Sequence, residues 1–271
     1  MNLRWLECSK TEIVASLPFA GGMEESEEWG ILVCKSSFSA IDNELLCRFL
    51  GFVGPMIRCG IERTRMGLAL VEQNASLAAN TLLLACALSV LDCSGIEAGD
   101  IAVICGTGNF ASALLTAAFF QGLRCVQPAS CARPRQSSNG CFYIDFNDLR
   151  WREVFIDSDH QVRGKITFFE MMGELQPLAE ILANLRKRER LVICAIDRPT
   201  PHVFNAYRDI HRTSAEVRSW SLIPGTAAFD RFPLVYRRAQ NLIKYRKNTH
   251  RMRHWLQSLE TNMATYRKAS N

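Results

Sequence analysis

The sequence predicts an α/β fold, a parallel sheet with helices on both faces, and three observations carry that expectation. An apolar strand at Ile101 to Cys105 enters a turn with Gly106, Gly108 and Ala111, followed by an apolar-faced helix that stops at Gly122 and a second strand from Arg124. Strand-like and helix-like segments then alternate through the middle of the chain, the pattern that parallel sheets leave in a sequence. Hydrophobic residues make up 48% of the 271, enough for one such domain with an appendage.

Taken in order, a strand is expected at Ile31 after an acidic loop of Glu24, Glu25, Glu27 and Glu28. Leu77 to Leu91 reads as a helix that leads through Gly95 and Gly99 into the strand at 101–105. Arg124 to Ala129 is the next strand, and Pro128 to Gly140, rich in Pro, Ser and Gly, is a loop. Strands follow at Lys165 to Phe169 and Arg190 to Ile196, separated by a helix from Gln176 to Leu185. Val203 to His211 is a helix or loop, and Glu216 to Leu222 a last strand. Val235, Ala239, Leu242, Met252, Trp255, Leu256 and Leu259 fall on one side of a C-terminal helical segment.

The Gly-x-Gly-x-x-Ala turn defines a Rossmann-like unit. Without Cβ atoms at Gly106 and Gly108, a pyrophosphate can reach the N–H groups that open the helix, and small Ala111 lets helix and strand pack closely. Gly106, Gly108, Asn109, Phe110 and Ala111 are therefore the candidate phosphate residues. An acid at the end of the second strand would take the ribose hydroxyls of NAD. Gln127-Pro128-Ala129-Ser130 stands there instead, with Arg133 and Arg135 just after, which suits the additional phosphate of NADP(H). A βαβ crossover that binds nothing, with surface arginines, is the alternative reading of the same residues.

Composition sets the remaining bounds. Eleven cysteines, with no Cys-x-x-Cys pair, fall mostly in apolar contexts such as Cys34, Cys86, Cys105 and Cys194, as reduced thiols of a cytoplasmic protein do. The most apolar run, Leu82 to Leu91, is short for a membrane span, and the N-terminus lacks a signal-peptide core. Residues 231–271 hold ten Lys or Arg against one acid, Glu260, so they carry the whole positive excess of the chain. A nucleic acid or anionic partner would fit that charge, and a solvated face on a docked helix is the preferred reading.

Across about residues 31–225 the chain resembles the medium-chain dehydrogenase/reductase superfamily, of the zinc-type alcohol dehydrogenase kind. The matching segments are collinear: Leu70-Val71-Glu72 with the helix after it, Ile96 to Val126 including Gly99-Asp100, Phe169 to Gly173 with the helix and strand that follow, and Ile210 to Ser221. The departures are specific. The family's catalytic zinc cysteine corresponds to Ser39 and its zinc histidine to Ile61, between Gly60 and Glu62, so zinc is not expected. Only nine residues separate Glu62 from Glu72, where the family places most of a GroES-like catalytic barrel. Its Gly-Gly before a later strand is replaced by Arg188-Glu189. Ser39, Asp42, Glu44, Glu62, His202 and His211 form no recognisable catalytic set, and the catalytic residues stay unassigned.

The organisation expected is a truncated catalytic-lobe remnant over 1–75, rich in β-structure and reduced from a GroES-like lobe, then a Rossmann-like fold over 76–225 and a basic helical segment over 226–271. Two functions follow from the resemblance. One is a degenerate, non-catalytic, peptide- or protein-binding accessory component of a biosynthetic pathway, with an opened cleft. The other is a zinc-independent NADP(H)-dependent oxidoreductase acting on a large or carrier-bound substrate. The resemblance also implies a homodimer paired through the last strand; membrane and nucleic-acid partners are not expected.

Overall fold

The structure is a computed structural model that describes residues 5–7, 12–19, 29–35, 49–55, 66–70, 74–128, 135–136, 141–145, 149–155, 164–171, 175–194, 211, 214–222 and 224–269. The chain forms two compact units, each assembled from separate stretches. The first comprises 1–87, 108–113 and 222–271, and the second 88–107 and 114–221.

In the first unit, β1 (Trp5–Glu7), β2 (Glu12–Pro18), β3 (Trp29–Lys35), β4 (Phe49–Pro55) and β5 (Met66–Leu70) form a five-stranded sheet ordered β1-β5-β4-β3-β2. Every pairing is antiparallel, with one bulge in β2 between Ile13 and Ala15. Leu17, Ile31, Val33, Phe52, Leu68 and Leu70 are buried in its core. This is the β-rich remnant expected from the sequence. Pro18 closes β2, an edge strand, where its missing N–H breaks no ladder.

The helix α1 (Ala75–Ser94) opens at Asn74, whose Oδ1 accepts from the Ser76 amide at 2.8 Å. It is longer than its apolar run suggested, and by length and composition it could cross a membrane. Here it is a core helix, with Ala78 to Leu91 buried throughout.

Two C-terminal helices complete the first unit: α4 (Ala227–Arg246) and α5 (His250–Ala269). Thr226 caps α4 by accepting from the Phe229 amide at 3.2 Å, and Thr249, at the head of α5, accepts from Met252 at 3.4 Å. The expected side is largely the buried one: Val235, Ala239, Met252, Trp255 and Leu259 are buried, while Leu242 and Leu256 are half-buried. Pro233 lies inside α4 and cannot donate to the carbonyl of Phe229 one turn back. The Trp5 indole N–H fills that vacancy at 3.0 Å, and its ring stacks on Phe229 with centroids 4.2 Å apart.

The second unit holds a seven-stranded sheet ordered β12-β11-β10-β6-β7-β9-β8. The strands are β6 (Ile101–Cys105), β7 (Arg124–Pro128), β8 (Arg135–Gln136), β9 (Phe142–Ile144), β10 (Ile166–Glu170), β11 (Arg190–Ile193) and β12 (Glu216–Ser219). Six are mutually parallel, and β8 alone runs antiparallel, against β9. The fold is thus the Rossmann-like parallel sheet expected. Two short strands were not: β8 falls within the stretch read as loop, and β9 follows it.

α2 (Gly108–Phe120) follows β6, and α3 (Leu175–Asn184) follows β10. The core under one sheet face joins Val103, Val126, Phe168 and Leu191 to Trp151 and Phe155 of a 3-10 helix, Leu149–Phe155. At the other end of the strands, Asp100 ties three elements together. Its carboxylate accepts from the amides of Lys165 (2.8 Å) and Glu97 (3.0 Å), and its carbonyl from Arg124 (2.9 Å).

Candidate functional site

The fingerprint turn has the geometry its sequence implies. β6 ends at Cys105, Thr107 is extended at the helix N-cap with its hydroxyl making no cap bond, and α2 starts at Gly108. Gly108 has φ +85°, a left-handed backbone that explains glycine there independently of any ligand. Ala111 is buried, consistent with close helix packing.

What sequence reasoning missed is the partner of this helix start. Phe110 donates its main-chain N–H to the carbonyl of Phe19 at 3.1 Å, and the Asn109 side-chain amide donates to the carbonyl of Pro18 at 2.8 Å. The rings of Phe19 and Phe110 stack at 4.5 Å, and Asn109, Phe110 and Phe19 are all buried. A phosphate at a helix N-terminus depends on amides of the first turn that point outward. One such amide already serves the end of β2. For a pyrophosphate to take that amide, the Phe19 carbonyl has to withdraw from it.

At the end of β7 the residue facing the turn is neutral, since Gln127 donates its side-chain amide to the Gly106 carbonyl at 3.4 Å. The acid of an NAD site is therefore absent from the last residues of this strand. Ser130 and Arg133 lie outside the described residues, as do Ser39, Asp42, Glu44, Ile61, Glu62, Glu72 and His202. Arg135 is described only as backbone in β8. His211 is exposed.

Two described thiols, at the end of β6 and just after β11, are unsuited to act as nucleophiles. Burial, reinforced by Glu170, raises the thiols of Cys105 and Cys194 well above the ordinary range, so both stay protonated at neutral pH. Cys93 is raised by desolvation against an opposing pull from Arg218. Among the described residues, no three His, Cys, Asp or Glu side chains are grouped to hold a metal ion.

Arg188-Glu189, which replaces the glycine pair, has its own structural use. Arg188 adopts φ +68°, the conformation a glycine would take there. Glu189 is buried and forms a two-pronged pair with Arg152, with both N–O distances 2.9 Å, while also accepting from the Arg186 amide at 2.8 Å. Arg152 lies over the Trp151 ring, 4.3 Å from its centroid. A charged clamp thus joins the 3-10 helix to the approach to β11.

The fold is that of the medium-chain, zinc-type alcohol dehydrogenase-like structures. The chain is similar to mycobacterial Rv1454c complexed with NADPH, at 14% identity and a TM-score of 0.56, covering 96% of this chain and 88% of that one. Alcohol dehydrogenase TADH from Thermus sp. ATN1 aligns at 13% identity and a TM-score of 0.52, covering 86% and 80%. CurA from Vibrio vulnificus in complex with NADPH aligns at 12% identity and 0.51, covering 90% and 80%. No family model matches the sequence. No curated protein matches it either. At such identities the likeness is one of fold.

Proposed function

We propose that this chain is a degenerate, non-catalytic form of the dehydrogenase fold, serving in the cytoplasm as a peptide- or protein-binding accessory component of a biosynthetic pathway. One observation carries the reading: the Phe19 carbonyl takes a first-turn amide that a dinucleotide phosphate would use, and the Pro18 carbonyl takes the Asn109 side chain beside it. The second reading, a zinc-independent NADP(H)-linked oxidoreductase, has specific support in the neutral Gln127 at the end of β7 and in two fold neighbours complexed with NADPH.

Titration with NADPH, followed by its fluorescence, separates the two. The accessory reading expects no saturable binding below about 1 mM, corresponding to roughly −4 kcal/mol. Thr107→Asp is the appropriate control, because it places a carboxylate at an exposed N-cap that favours acids, whereas any substitution at Gly108 strains the backbone. Micromolar NADPH affinity abolished by Thr107→Asp, together with substrate oxidation, overturns the proposal in favour of the enzyme.

A further inference from the structure

The helix α4 carries an exposed feature that its packing does not explain. On α4, Phe232, Tyr236, Ala239 and Ile243 form the buried seam, at spacings of four, three and four residues. A second seam with similar spacing runs along the solvent side: Arg231, Leu234, Arg238, Asn241 and Tyr245. Residues three and four apart lie on one helix face, so these five form a continuous strip. Leu234 is 67% exposed and Tyr245 74% exposed, and they stand at the two ends of a span of about 16 Å. Arg237 and Lys244 flank the strip, and the Lys244 ammonium lies 5.7 Å from the centre of the Tyr245 ring. Asp230 is the single acid on α4.

We infer that this strip of α4 docks an acidic amphipathic helix of a partner protein, with Leu234 and Tyr245 taking its apolar side chains and Arg231 and Lys244 its carboxylates. The inference rests on the accessory reading above and specifies its partner. Charge complementarity fixes the sign of the ligand, since the strip and its flanks are cationic. Leu234 selects protein over nucleic acid, because a phosphate backbone gives a leucine nothing to bury against, whereas an amphipathic helix offers apolar anchors at matching intervals. A bilayer is excluded by the other seam: the apolar face that would insert is already packed inside the unit.

The test uses the full chain and a fluorescein-labelled peptide of repeating Leu-Glu-Glu-Leu-Glu-Glu-Glu heptads, with polyglutamate and single-stranded DNA of equal charge as competitors. The heptad peptide is expected to bind at least about tenfold more tightly than either competitor and to weaken with added salt. Leu234→Ser with Tyr245→Ser is expected to weaken it by about tenfold or more, as is Arg231→Glu with Lys244→Glu. All four positions are exposed, and circular dichroism verifies that the variants remain folded. No binding of the peptide, or tighter binding of the DNA, overturns the inference. Peptide binding untouched by both double variants overturns this surface and leaves the accessory reading standing, whereas NADPH turnover removes that reading itself.

Discussion

The Phe19 carbonyl accepts the Phe110 amide at 3.1 Å while the two side-chain rings stack at 4.5 Å, so the residue that follows β2 engages the fingerprint helix through both backbone and side chain. The ring contact holds the carbonyl in place. Phe19→Ala should therefore free the Phe110 amide. Amide exchange followed by NMR should show Phe110 slow to exchange in the parent and at least about tenfold faster in the variant, while β6 amides keep their protection. Unchanged exchange at Phe110 would mean that the ring is irrelevant to the backbone bond.

The Arg152–Glu189 pair is almost wholly buried, so removing one partner strands the other. Glu189→Ala is expected to cost about 3–5 kcal/mol by chemical denaturation. The double change Arg152→Met with Glu189→Leu should cost markedly less, because no unpaired charge remains. Equal losses in the single and double variants would show that shape, not charge, governs this corner.

Gly164 sits at φ +83°, and a Cβ there would meet the Gly99 carbonyl oxygen at 2.6 Å and the Asp100 Cα at 2.8 Å. Backbone cannot step aside as a side chain does. Gly164→Ala should destabilise the second unit by about 2–4 kcal/mol, from left-handed strain plus overlap. Thermal unfolding checks this.

Glu216 of β12 accepts from Arg190 at 2.8 Å and from Arg218 at 2.7 Å, and these bonds hold its carboxyl below the ordinary range. A depressed folded pKa stabilises above the unfolded value, and that stabilisation is lost as pH falls through the folded one. The docking of β12 should hence loosen in acid, below the usual value of 4.5, and be indifferent to pH between 6 and 8. Buried Trp220, next in the chain, reports it by fluorescence, and Glu216→Gln should remove the acid-dependent component. The group is largely exposed, so the effect is small.

Among the described residues β12 has one neighbour in its sheet, and Glu216, Val217 and Ser219 are exposed along it. Open edges of this kind invite pairing. The expected assembly is a symmetric homodimer joined edge to edge at β12. Light scattering should give twice the chain mass, and Val217→Asp, which places like charges near the two-fold axis, should give the monomer. A monomeric parent at micromolar concentration removes the expectation.

Much of the second unit is legible in the sequence because its information is local. Ile101 to Cys105, the glycine turn and Gly122 follow one another without interruption, and the strand lies where the pattern places it. The C-terminal helices also follow their periodicity, and Thr249 supplies the break between them. The candidate site is legible only in part. Neither Pro18 nor Phe19 announces a partner 91 residues away, since carbonyl groups carry no sequence signature. Arg188-Glu189 reads as a loss of glycines when taken alone. Its purpose emerges only with Arg152, 37 residues earlier and on a different element. Short β8 and β9 escaped for another reason: two or three residues give no alternation to detect.

The tie between Trp5 and Phe229 spans 224 residues. On a ribosome adding about 5–20 residues per second, the indole emerges roughly ten to forty-five seconds before the carbonyl that receives it. For that interval the N-terminal strands lack the last two helices of their unit, while much of the parallel sheet can already assemble. Nascent chains should consequently be vulnerable to proteases and aggregation around Trp5 during that interval, and a premature stop before Phe229 should leave its indole without an acceptor.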